Sequence, residues 1–141
     1  TVRQTYASKL TSVSGTFVAD EKITQASTGA VGTVVEYDAT NTILYFQQER
    51  YSDYGTNSTG VFALFSGENT ITGATSSATG TPDLTADAAV TLAGGFTITF
   101  TNGYANPELQ PDSGNVIYTE NISPNSRSSE QTDDFKIVVE F

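Results

Sequence analysis

FVADEKITQASTGAVGT, residues 17–33, lines up without gaps on FSGENTITGATSSATGT, residues 65–81, at an offset of 48. Both copies keep the leading Phe, the Ile-Thr pair, two Ala and the closing Gly-Thr. The shared pattern predicts a Phe that anchors a strand, an acidic turn, a short Ile-Thr strand and a small-residue turn leading onward. Each copy therefore predicts a strand-turn-strand unit. Between them, TVVEYDATNTILYFQQE (33–49) reads as a hairpin: Val34, Val35 and Tyr37, a turn at 38–41, then Ile43, Leu44, Tyr45 and Phe46. Because an isolated hairpin is marginal in water, residues 13–81 are expected to curl into a small β-barrel or sandwich lobe with its own core.

Working outward, TVRQTYASKL (1–10) alternates as a strand with a weak apolar face. YSDYGTNSTG (51–60) is a loop by composition, with Tyr51 and Tyr54 placed to cover a core edge. The 81–95 stretch has room for one helical turn around 83–90. FTITF (96–100) is a strand with Phe96, Ile98 and Phe100 on one face, ended by an Asn102-Gly103 turn. A loop with two Pro at 104–114 leads to an apolar strand at 116–118. The last seven residues put Phe135, Ile137, Val139 and Phe141 on one face of a final strand. Residues 1–12 and 82–141 are expected to form one β-sandwich part, with the 13–81 lobe inserted in it.

Composition agrees with an all-β chain: 23 Thr and 12 Gly, with 15 aromatics all Phe or Tyr, favour short strands and many turns. At 141 residues the chain can hold one domain or two small lobes. No apolar run approaches the roughly 18 residues a spanning helix needs. The first residue is Thr and no Met occurs, so the sequence is expected to be a piece of a longer polypeptide. With no Cys and no His, disulfides, thiolate chemistry, imidazole bases and nearly every zinc site drop out. A formal charge of −10 repels phosphate backbones and anionic bilayers, so neither nucleic acid nor membrane is expected as a partner.

The candidates for chemistry are the acidic groups at Asp20-Glu21, Asp53, Asp83 with Asp87, and 130–134. None has calcium-loop spacing, and all fall in predicted turns where solvated carboxylates are ordinary. Abundant Ser without His excludes an ordinary triad, and Lys9, Lys22 and Lys136, which a Ser-Lys dyad would need, read as surface residues. The glycines of TGAVGT and LAGGF lack a phosphate loop's Lys and serve turns. Asn57 and Asn121 open N-x-S/T sequons too short to be informative. Tyr51, Tyr54 and Tyr104, read as exposed, could stack on sugars, although packing is the commoner role for scattered Tyr. The expectation is no catalytic residue, no metal and no cofactor.

SGNVIYTENISPNSRSSEQTDDFKIVVEF (113–141) resembles the C-terminal end of the baseplate wedge subunit of T-even type contractile-tailed bacteriophages, particularly marine cyanophage versions. The matching elements are Ser113-Gly114, Ile117-Tyr118, Glu120-Asn121, Pro124, Arg127, Gln131-Thr132 and the acidic step into the strand ending at Phe141. YANPEL (104–109) is similar to a Tyr, Pro and Glu segment of that family, and Arg3-Gln4 to the strand before it. Ile122 and Asn125 depart from the family's usual Arg and apolar residue. The repeat-bearing middle looks like an insertion of the kind cyanophage relatives carry.

The resemblance implies a structural virion protein with a layered β-sandwich, dimeric in the family, located in the tail baseplate and assembled in the host cytoplasm. It implies packing against other wedge subunits, with Glu120, Asn121, Pro124, Arg127, Gln131 and Thr132 as partner-contact candidates, and brings neither activity nor cofactor. The fifteen-residue polar stretch before the last strand is too long for a tight hairpin and is expected to present contacts to a neighbour. The rival reading is a carbohydrate-binding or adhesin-like β-sandwich of a phage or bacterial surface protein. A hydrolase is remote, because no acid-base pair converges in the sequence.

Overall fold

Each repeat copy folds into a β-hairpin, and the two hairpins pair with each other. The computed structural model describes residues 5–85, 87 and 89–107. The first copy gives β2 (Lys22–Gln25) and β3 (Ala30–Asp38), and the second gives β5 (Ile71–Gly73) and β6 (Thr79–Pro82). In both, the connecting loop of small residues passes through the left-handed region, at Gly29 (φ 73°) and at its counterpart Ser77 (φ 56°). β2 lies antiparallel to β5 with Thr24 opposite Thr72, two residues that are themselves 48 apart. An approximate two-fold axis therefore passes between them.

Two further strands close the sheet. β4 (Ile43–Gln47) returns along β3 after a turn in which the Asp38 carboxylate accepts the N–H groups of Thr40 and Asn41 and the Asn41 amide. β1 (Thr5–Ser14) pairs with β6 on one side and β4 on the other, which completes a six-stranded antiparallel barrel in the order β1-β4-β3-β2-β5-β6. Leu10 opposes Pro82 as Phe46 opposes Val34, and Ser8 opposes Leu44, so β1 and β4 are also exchanged by the axis. β1, from before the expected 13–81 lobe, thus supplies the third strand that copy two has no sequence-adjacent partner to provide.

The core follows the repeat. Phe17 with Phe65, Ile23 with Ile71 and Ala30 with Ala78 are matched pairs in one buried cluster, joined by Leu10, Val34, Leu44 and Phe46. Each buried Phe, Ile or Leu contributes roughly 1.5–3 kcal/mol, so the matched pairs supply much of the barrel's cohesion. Phe46 packs edge-on to Phe65 (centroids 4.7 Å) and stacks on Tyr6 (5.7 Å).

Outside the barrel, β7 (Ala89–Thr91) and β8 (Thr97–Thr99) form a separate hairpin, and β9 (Tyr104–Ala105) pairs with β1. Because successive side chains of a strand point to opposite faces, Leu44 and Phe46 enter the barrel while Ile43 and Tyr45 face out. Ile43 and Ala7 pack there with Ile98 and Phe100 in a second small cluster. Asn102 and Gly103 both take positive φ (49° and 77°), and Thr101 and Tyr104 exchange N–H···O bonds across them, the two-residue hairpin turn expected from the sequence.

Two local expectations are corrected. Among the described residues of 83–90 there is no helical turn: the Asp83 carboxylate accepts the Thr85 N–H (3.0 Å) and hydroxyl (2.6 Å), and the chain enters β7 at Ala89. Phe96 does not share the burial of Ile98 and Phe100; it stays 42% exposed at the turn end of the hairpin, one residue before β8 begins. The described architecture is all-β, a closed barrel with a small accessory sheet. The expected strands at 116–118 and 135–141 lie outside the described residues.

Candidate functional site

One concavity is built by an irregularity in β3. Register shifts between Val34, which opposes Phe46, and Glu36, which opposes Tyr45, leaving Val35 as the extra residue of a β-bulge. Val35 stands 41% exposed. Beside it, the opposed pair Thr33 and Gln47, with Asp20 and Glu49, lines a cleft of about 730 Å³ whose other wall is Tyr51, Ser52 and Tyr54.

That wall is a loop folded onto itself. The Tyr51 carbonyl accepts the N–H groups of Tyr54 (3.2 Å), Gly55 (3.2 Å) and Thr56 (3.0 Å), and Asp53 N–H donates to the Thr56 carbonyl (2.9 Å). Gly55 lies so close to the Glu49 backbone that a Cβ would sit 2.0 Å from its carbonyl oxygen, so only glycine fits. Lys22 of β2 pairs with Asp53 at 2.5 Å. The loop thus presents Tyr51 and Tyr54, 68% and 55% exposed, on a tied backbone.

A second, smaller cavity of about 200 Å³ is lined by Tyr6, Phe46, Leu64, Phe65 and Tyr104. Tyr104 is not the exposed ring the sequence suggested: it is partly buried, and its hydroxyl donates to the Gly67 carbonyl at 3.0 Å. Burial raises its pKa above the ordinary phenol value, against a lowering hydrogen bond from Gln25.

The acidic groups flagged in the sequence separate into structural and surface roles. Glu21 is buried, and its carboxylate accepts the N–H groups of Val18 (2.8 Å), Thr75 (3.0 Å) and Ser76 (2.9 Å) and the Ser76 hydroxyl (2.7 Å). Burial pushes its pKa up, but these hydrogen bonds together outweigh that and hold it below the ordinary value. Asp87 accepts the Asn102 N–H at 2.6 Å. Among the described residues no three acidic side chains converge as a metal site would require. Lys9 and Lys22, expected as surface residues, each make a polar contact. Lys9 donates to the Asn41 carbonyl and the Thr42 hydroxyl (2.8 Å) of the β3–β4 turn, and Lys22 to Asp53.

The partner-contact candidates Glu120, Asn121, Pro124, Arg127, Gln131 and Thr132 lie outside the described residues. Sequence reasoning singled out Tyr51, Tyr54 and Asp20 separately. It missed Thr33 and Gln47, whose convergence depends on strand register. The alternation of apolar residues through β3 and β4 carried that information, but the Val35 bulge hid it. Comparison with protein-family models, curated proteins and solved structures finds no match to this chain.

Proposed function

We propose that this chain is part of a structural virion protein, a component of the tail baseplate wedge that works as an assembly scaffold through protein–protein contacts. What carries the reading is the resemblance of residues 113–141 to the C-terminal end of the wedge subunit family, borne by Glu120-Asn121, Pro124, Arg127 and Gln131-Thr132. The layered β-sandwich, the pairing of two copies and the virion location belong to the same proposal.

The barrel offers independent support of a weaker kind. The described acidic side chains mostly cap turns or stand at the surface, and apolar groups stay exposed at Val61 and Leu64 on the segment joining the two repeat copies. Exposed apolar side chains of this kind suit surfaces that are covered on assembly. The test is reconstitution: the full-length parent, mixed with the other wedge proteins of the same virus, should co-sediment in a defined complex. Substitutions at Arg127 and Gln131 should weaken that complex without changing the melting temperature. Failure to associate with any tail protein overturns the scaffold reading.

A further inference from the structure

We propose that the bulge-sided cleft between β3–β4 and the 49–56 loop is a binding site for a neutral oligosaccharide. The inference stands on the barrel's own geometry and does not depend on the scaffold reading. A volume of about 730 Å³ falls within the range of about 300–1,000 Å³ typical of small-molecule sites and has room for more than one sugar ring.

The two tyrosines are the first argument. Leaving two large rings 68% and 55% exposed carries a solvation cost that a stacked ligand would remove. Their loop is already held by the three N–H groups on the Tyr51 carbonyl and by the Lys22–Asp53 pair, so little ordering remains to be done on binding. Rigid Tyr rings combine a flat apolar face with a polar rim. A pyranose offers the complement, one C–H face and a circumference of hydroxyls.

The remaining lining selects among ligands. Thr33 and Ser52 supply hydroxyls that donate or accept, Gln47 supplies an amide, and the carboxylates of Asp20 and Glu49 accept only. Among the described residues of the cleft there is no Lys or Arg, and a phosphorylated, sulfated or sialylated ligand would meet like charge at Asp20 and Glu49. The uncharged hydroxyl and amide groups, counting both phenols, outnumber the two carboxylates. That balance favours a neutral polyhydroxylated ligand over a cationic peptide.

The test uses the full chain. Glucose, galactose and mannose oligomers of two to four units are titrated by calorimetry and by tyrosine fluorescence, in a protein with seven Tyr and no Trp. At least one oligomer should bind in the millimolar range or tighter, with no binding of dextran sulfate. Tyr51→Ala and Tyr54→Ala should each weaken binding by about tenfold or more, while Phe96→Ala, exposed elsewhere, leaves it unchanged. Ring-proton shifts of the wild-type tyrosines, followed by NMR during the titration, report occupancy even if an alanine variant fails to fold. The proposal is overturned if none of the neutral oligomers binds, if binding survives both substitutions, or if oligo-arginine alone occupies the site.

Discussion

At the residue scale, the two repeat copies solve one packing problem with exchanged side chains. A Cβ on Gly73 would lie 2.7 Å from both Glu21 carboxylate oxygens, so the absent side chain makes room for Glu21 arriving from copy one. At the matching position of copy one stands Gln25, whose own amide oxygen accepts the Thr28 hydroxyl (2.8 Å) and the Ser66 N–H (3.0 Å). The Ser76 hydroxyl on Glu21 and the Thr28 hydroxyl on Gln25 are the same contact, and each hydroxyl then accepts the N–H of the buried Ala that follows two residues later. Glu21→Ala would strand the Thr75 and Ser76 donors and should cost about 2–4 kcal/mol in denaturant unfolding. Because the folded pKa of Glu21 lies below its ordinary value of 4.5, its contribution is complete above that pH and is lost as pH falls through the lowered value. Glu21→Gln should flatten the acid-side fall in melting temperature. Asp38, held low chiefly by the Asn41 side-chain hydrogen bond, keeps a residual slope of the same sign. An unchanged profile would remove Glu21 from the account. Ser77, at φ 56° where copy one has Gly29, is the converse case: Ser77→Gly should stabilise by about 0.5–1 kcal/mol, and a lower denaturation midpoint would contradict it.

At the element scale, β1 is the strand on which closure depends. It bonds to β4 through Thr5 to Lys9 and to β6 through Leu10 to Ser14, so without it two barrel strands become open edges. Deletion of residues 1–14 should abolish cooperative unfolding, and a synthetic 1–14 peptide added in trans should restore strand-type circular dichroism. A deletion protein that melts as sharply as the parent would show the barrel closes another way. This element also shows how far the sequence could be read. The repeat announced β2, β3, β5 and β6 because Phe, Ile and Ala recur at core positions with turn residues between them. The role of β1 was not visible, since its equivalence with β4 rests on pairing register: Leu10 and Phe46 match in position and burial and share no local motif. The cleft was half visible. Tyr51 and Tyr54 stood out as aromatics in a polar loop, while Thr33, Gln47 and Asp20 meet them only through a bulge at Val35 that alternation alone does not foretell.

At the scale of the whole molecule, charge is the term left unbalanced. Residues 1–111 carry four basic and ten acidic side chains, a formal −6, and residues 112–141 carry two and six, a formal −4, which together make −10. Neither segment offers the other a complementary net charge. The described Lys22–Asp53 bridge joins two partly exposed side chains, a class of pair worth about 0–1 kcal/mol, too little to offset dispersed repulsion. Mutual repulsion among exposed carboxylates weakens as the Debye length shrinks from about 30 Å at 0.01 M to about 8 Å at 0.15 M salt. Added salt therefore screens more repulsion than attraction in this molecule. The melting temperature of the full chain at pH 7 should rise as sodium chloride is raised over that interval, with chloride and acetate salts giving the same trend. A fall over the same interval would mean that attractive pairs dominate, and the surface would then have to be charge-paired in a way its composition does not suggest.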